Sequence, residues 1–218
     1  MKSPAKLISY FLHPIFMPTW LLIFLLFFAD KSLLLMQPGK KAILLVTFSL
    51  FMTILPLLNI MILKYMGFIS GYEMDDKKER KLPFFICLVY YAGLFYLLYG
   101  SEIPVFYTAF VGSGFFLILF NFIINIKWKI SSHGIGAGGF TGSLLSFALW
   151  NAQRTSDNTA VLLLFALSFS ISGLILTSRL VLEKHSLTQV YSGYITGLLL
   201  TLILVPAIIL TLLHFYFR

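Results

Sequence analysis

Charge is what this chain has least of. Asp, Glu, Lys and Arg together make up 11% of its 218 residues, against roughly 25% in an ordinary soluble domain. So little charge excludes a soluble enzyme and a disordered chain alike. Cysteine is nearly absent too. Cys87 stands alone, so there is no intrachain disulfide and no thiolate metal cluster, and it reads as a small buried apolar residue. Acidic residues number 8 against 16 basic ones. A cation excess on so apolar a chain reads as interfacial Lys and Arg near anionic headgroups, not as a nucleic-acid surface. No small-residue cleavage site follows Lys2 and Lys6, so the first apolar run reads as a retained helix and not as a signal peptide.

Hydrophobic residues fill the space, at 59%. Cutting the chain at every charged residue leaves seven charge-free runs: 7–29, 42–63, 82–101, 103–126, 130–153, 158–178 and 185–217. Each reaches the length of about 20 residues that a hydrocarbon core requires. The expected fold class is therefore all-α, a polytopic membrane helix bundle with about seven transmembrane helices in one integral membrane domain, 1–218. Because His13-Pro14 and Pro18 punctuate the first run, its helix is expected to begin near Pro18, with residues 1–13 along the interface.

Seven crossings sort the connections between two faces. One face collects the N-terminus, 64–81, 127–133 and 178–185; the other holds 30–41, 101–104, 151–159 and the C-terminus. Lys and Arg divide 11 to 5 in favour of the first face. That face also gathers the run DDKKERK (75–81), Ser132-His133, and Ser178-Arg179 with His185. Polar segments far apart in sequence are thus expected to converge at one membrane interface. The positive-inside rule turns this face to the cytoplasm. Without Lys77, Lys78, Arg80, Lys81 and Arg179, which a substrate could require, the division falls to 6 against 5.

The residue types there suit phosphate chemistry. Arg179 offers a planar fork of donors matched to phosphate oxygens. His185 can attack or carry a proton near neutral pH. Gln189, four residues on, shares its helical face and could hold the imidazole; equally, Ser186-Leu-Thr-Gln189 reads as a capping box. His133 beside Ser132 is the second candidate histidine, while His13 and His214 lack such company and read as structural. Arg80 and Lys81, just ahead of Pro83, are the members of the charged run best placed to meet a headgroup. Gly134, Gly138 and Gly142, spaced by four, form a ridge on which another helix can close in.

Ser178-Arg179-Leu-Val-Leu-Glu-Lys-His185 matches S-R-x-x-x-x-x-H, and Ile130-Ser131-Ser132-His133 is similar to P-S-G-H. Both resemble signatures of the type 2 phosphatidic acid phosphatase superfamily, the lipid phosphate phosphatases, over a core of approximately 77–200. This chain resembles a divergent member: Lys81-Leu82-Pro83 stands where that family has Arg-Pro, and Gln189 where it has Asp. The resemblance implies a six-helix core and a metal-independent, cofactor-free hydrolase or phosphotransferase of a bacterial inner membrane, its catalytic face outside the cytoplasm. His185 would be the nucleophile, His133 the general acid, and Gln189 the residue orienting His185. Arg179, Arg80, Lys81, Ser132 and Ser178 would bind the phosphate. Expected substrates are phosphatidic acid, phosphatidylglycerophosphate, a polyprenyl diphosphate or a lipid A type phosphate. The alternative is a catalytically silent relative that binds or transports lipid phosphates.

Overall fold

The computed structural model describes residues 2–29, 36–74, 76–152 and 159–216, and among these every regular element is a helix. Asp75, residues 30–35 of the 30–41 connection and residues 153–158 of the 151–159 connection lie outside the described residues. Helix α1 (Lys2–Phe11) is followed by α2 (Met17–Phe24), which opens on Pro18 and runs into a π turn at Leu25–Ala29. Then come α3 (Pro38–Tyr65), α4 (Lys81–Leu98), α5 (Val105–Lys127), α6 (Ser132–Ala152), α7 (Thr159–Val181) and α8 (Leu187–Tyr216).

Helices α3, α4, α5, α7 and α8 are each long and apolar enough to cross a membrane. The chain is a multi-pass membrane helix bundle. Helix α6, at 21 residues, is also long enough at about 1.5 Å per residue, but its sequence is rich in Gly and Ser instead of Leu. Fifteen of its residues are buried, so protein and not lipid surrounds it. Helix α2 is shorter, with its apolar stretch spanning Met17–Phe27.

The π turn of α3, Leu50–Ile54, lies just before Pro56. Proline cannot donate to the preceding turn, and a local widening absorbs the lost bond. Within that turn Thr53 donates to the Ile15 carbonyl at 3.0 Å and meets the Thr19 hydroxyl at 2.9 Å. Both contacts tie α3 to the start of the chain.

Helix α8 lies along α6 more extensively than any other pair of elements. The reason is a two-sided glycine seam. A Cβ at Gly138 would stand 2.0 Å from the Tyr194 carbonyl oxygen, and one at Gly134 or Gly142 2.6 or 2.8 Å from the Val190 or Leu198 oxygen. From the other side, a Cβ at Gly197 would stand 2.2 Å from the Ile135 oxygen. The expected ridge therefore exists, and Gly193 and Gly197 of α8 are its unanticipated partners. Away from the seam, Phe48, Leu94, Phe106, Tyr107, Leu144 and Phe147 fill the core between α3, α4, α5 and α6.

Two polar ends result. At one end Lys40 and Glu102, from the connections 30–41 and 101–104, pair at 2.6 Å. At the other, the Lys77 ammonium donates to the Lys127 carbonyl, Lys184 pairs with Glu73 at 3.0 Å, and the Ser131 amide donates to the Gln189 carbonyl. This second end holds the candidate site.

Candidate functional site

Helix α7 ends in a Schellman arrangement. The Lys184 amide reaches back to the Arg179 carbonyl, the Glu183 amide to Leu180, and Glu183 itself adopts φ 55°. This stop turns the chain sharply, so that Arg179 on the last turn and His185 beyond it face the same space. Ser186 then starts α8. Its hydroxyl accepts from the Gln189 amide at 3.4 Å, and Gln189 Oε1 accepts from the Ser186 amide at 3.2 Å. That reciprocal pair is the capping box.

Gln189 Oε1 also lies 3.0 Å from His185 Nδ1. Since a backbone N–H already donates to that oxygen, it is an acceptor, and Nδ1 must carry the proton. The Nε2 of His185 is then left with its lone pair. The two readings of Gln189 are thus both true of one side chain. Burial lowers the His185 pKa to about 4; the Gln189 hydrogen bond opposes that shift, while Arg80, Arg179 and Lys129 reinforce it. At neutral pH the imidazole is therefore uncharged and nucleophilic.

A pH profile reads this directly. If His185 attacks, kcat/KM holds as pH falls from 7 and drops as the imidazole protonates near pH 4. Gln189→Glu keeps the reach and the cap but sets a carboxylate on Nδ1, and it should move that acid limb upward by about 1–3 pH units. A limb that stays put would reduce Gln189 to a helix cap.

His133 is the second residue of α6 and is buried. Its Nε2 lies 3.3 Å from both the hydroxyl and the carbonyl oxygen of Ser9. Arg179, also buried, donates from Nη1 to the same Ser9 hydroxyl at 2.6 Å. One hydroxyl on α1 therefore bridges the arginine and the histidine. His13, in the link between α1 and α2, stands edge-on to His133 with ring centroids 4.9 Å apart. Its Nδ1 accepts the Ile15 amide at 3.3 Å, and burial, with Arg179 adding to it, lowers its pKa to about 4.

Arg80 reaches the same place from the 66–80 connection. Its Nε donates to the carbonyl of Met74, a residue in the left-handed region at φ 47°, and its Nη1 donates to Asn125 Oδ1 at 3.2 Å. Asn125, Asn121 and Ser132 continue the hydrogen-bonded chain.

A cavity of about 800 Å³ joins these groups. Arg80, Ser132, His133, Arg179 and His185 line it, as do Ser9, His13 and Asn121. Beyond them the wall turns apolar, through Met17, Leu21, Met52, Phe110, Leu117 and Phe140. Two expected phosphate ligands fall outside it. Lys81 is exposed, because one step along a helix from buried Arg80 rotates a side chain by about 100°. Ser178 is buried, but its hydroxyl bonds the Ile175 carbonyl of its own helix at 2.7 Å.

Sequence reasoning missed Ser9, His13, Asn121 and Asn125. His13 has no polar neighbour in sequence to mark it, although the sorting of connections between two faces puts it on the face of His133 and His185. Asn121 and Asn125 carried a signal as well, two amides four residues apart inside an apolar run, where a polar group needs a reason.

No family model, no curated protein and no solved structure matches this chain.

Proposed function

We propose that this chain is a membrane lipid phosphate phosphatase or phosphotransferase, working through a phosphohistidine, as its resemblance to the type 2 phosphatidic acid phosphatases implies. One observation carries the reading. A single cavity has three histidines and two buried arginines at one end and a long apolar wall at the other. An amphiphilic phosphate has the same two-part chemistry. At about 300–1,000 Å³, cavities of this class enclose a drug-sized ligand, which corresponds here to a headgroup with part of a chain.

In the first step His185 Nε2 attacks phosphorus, the P–N bond forms, and the P–O bond to the lipid breaks. His133 takes up a proton as the negatively charged phosphate enters beside it and gives that proton to the departing oxygen, and Gln189 Oε1 keeps the Nδ1 proton of His185 in place. In the second, water attacks the phosphohistidine, His133 takes a proton from that water, and phosphate leaves. Arg179 and Arg80 hold the oxygens whose charge is spread in the transition state. Ser9 Oγ stands where an oxygen of the substrate would accept from Arg179 and meet His133, so substrate binding displaces it. We place the catalytic face outside the cytoplasm of a bacterial inner membrane, on the resemblance.

The alternative, a silent relative that binds lipid phosphates, is favoured by one feature: a neutral amide at Gln189 leaves the imidazolium formed during turnover without a counter-charge. Release of inorganic phosphate from phosphatidic acid in detergent, with and without vanadate, separates the two. Vanadate-sensitive release supports the enzyme. Binding of the lipid without release identifies the silent relative, and neither binding nor release ends both readings.

A further inference from the structure

Arg80 can only donate hydrogen bonds, and this fixes the direction of everything attached to it. Its Nη1 donates to Asn125, so Asn125 must present Oδ1 there and turn Nδ2 away. That Nδ2 donates to Asn121 Oδ1 at 2.6 Å and to the Asn121 carbonyl at 2.9 Å. Asn121 Nδ2 is then the group facing Ser132, and it donates to Ser132 Oγ at 3.0 Å. With that oxygen accepting, the Ser132 proton is directed elsewhere. Ser132 and Asn121 line the cavity; Asn125 is only 3% exposed and does not.

We infer that Asn125 and Asn121 are positioning residues, a polarised relay from the Arg80 guanidinium that makes the Ser132 hydroxyl a hydrogen-bond donor to an anionic oxygen in the cavity. The inference rests on the phosphate-site reading above and assigns the site a neutral donor in addition to its arginines. The relay also accounts for two buried amides on a helix that crosses the membrane, where each needs a partner. Reversing the polarity at one link reverses it at the next. In Asn125→Asp both side-chain oxygens accept, so Asn121 must turn Nδ2 toward them and Oδ1 toward Ser132. The serine proton is then drawn onto Asn121 and away from the cavity.

The test is a double-mutant cycle on the purified full chain in detergent, read by binding of inorganic phosphate in phosphorus NMR titrations, with thermal unfolding of each variant alongside. Ser132→Ala should weaken phosphate binding by roughly tenfold, the worth of one hydrogen bond to a charged group. Asn125→Leu should weaken it comparably, and the double variant no more than the worse single one. Asn125→Asp, which retains a partner for Arg80 and so guards against misfolding, should make a subsequent Ser132→Ala silent. If Ser132→Ala costs as much in the Asn125→Leu or Asn125→Asp background as in the wild type, the relay is wrong and the asparagines only support the fold. If the wild type binds no phosphate, the phosphate-site reading falls, and the relay with it.

Discussion

On the proposed phosphatase reading, His185→Ala should abolish phosphate release while leaving the lipid phosphate bound. The alanine removes Nε2, the atom that would bond to phosphorus. Arg179, Arg80 and His133 keep their own contacts to Ser9, Met74 and Asn125. Loss of a nucleophile that acts in concert with its partners costs on the order of 10⁴–10⁶ in turnover, so the residual rate should be at background. Arg179→Lys should lower turnover by about 10²–10³, since a point charge cannot reproduce a planar fork against oxygens whose charge develops in the transition state. Unlike a surface cation, Arg179 is buried and holds α1 through Ser9. Arg179→Lys should therefore also loosen the N-terminal helix, seen as faster proteolysis near residues 12–16. The measurements are phosphate release, lipid binding and thermal unfolding of the purified variants. Full hydrolytic activity in His185→Ala would mean that the nucleophile lies elsewhere.

Gly138→Ala should be the most destabilising single-methyl change in the bundle. Its Cβ would fall 2.0 Å from the Tyr194 oxygen and 2.7 Å from the Leu198 nitrogen. Both are backbone atoms of a helix that cannot yield locally, so α6 and α8 must separate. Overpacking of this kind costs typically about 1–3 kcal/mol, and a backbone clash belongs at the top of that range or above it. Activity should fall with stability, because His133 begins α6 and His185 precedes α8; the Ser131 amide on the Gln189 carbonyl ties those two starts together. Gly173→Ala on α7 is the matched control. Nothing lies within 4 Å of its Cβ, and alanine is favoured over glycine by about 1 kcal/mol in a helix interior. Thermal unfolding in detergent should show a large drop for the first variant and no drop for the second. Equal melting of Gly138→Ala and wild type would contradict the seam.

How much of this was legible beforehand follows from what a sequence encodes locally. Hydropathy along the chain determined that it lies in a membrane, because an apolar run of some 20 residues has no other stable solution. Counting crossings brought Arg80, Ser132, His133, Arg179 and His185 to one face. The capping box at Ser186 and Gln189 could be read because capping depends on residues three apart.

Contacts across the bundle could not be read this way. In lipid every helix is about equally apolar, so nothing in the pattern says which helix meets which, or by which face. Gly134, Gly138 and Gly142 announced a close approach, yet only packing selected Gly193 and Gly197 as its other side. The same step brought the Ser9 hydroxyl onto Arg179 across a separation of 170 residues in sequence. It turned Lys81 outward while Arg80 went in, and joined Arg80 to Ser132 through Asn125 and Asn121. Hydropathy and the order of crossings were enough for the membrane bundle and for the face on which its polar residues gather. Which of those residues share a cavity, and through which hydrogen bonds, was decided by the tertiary structure, because side-chain direction becomes fixed only when helices touch.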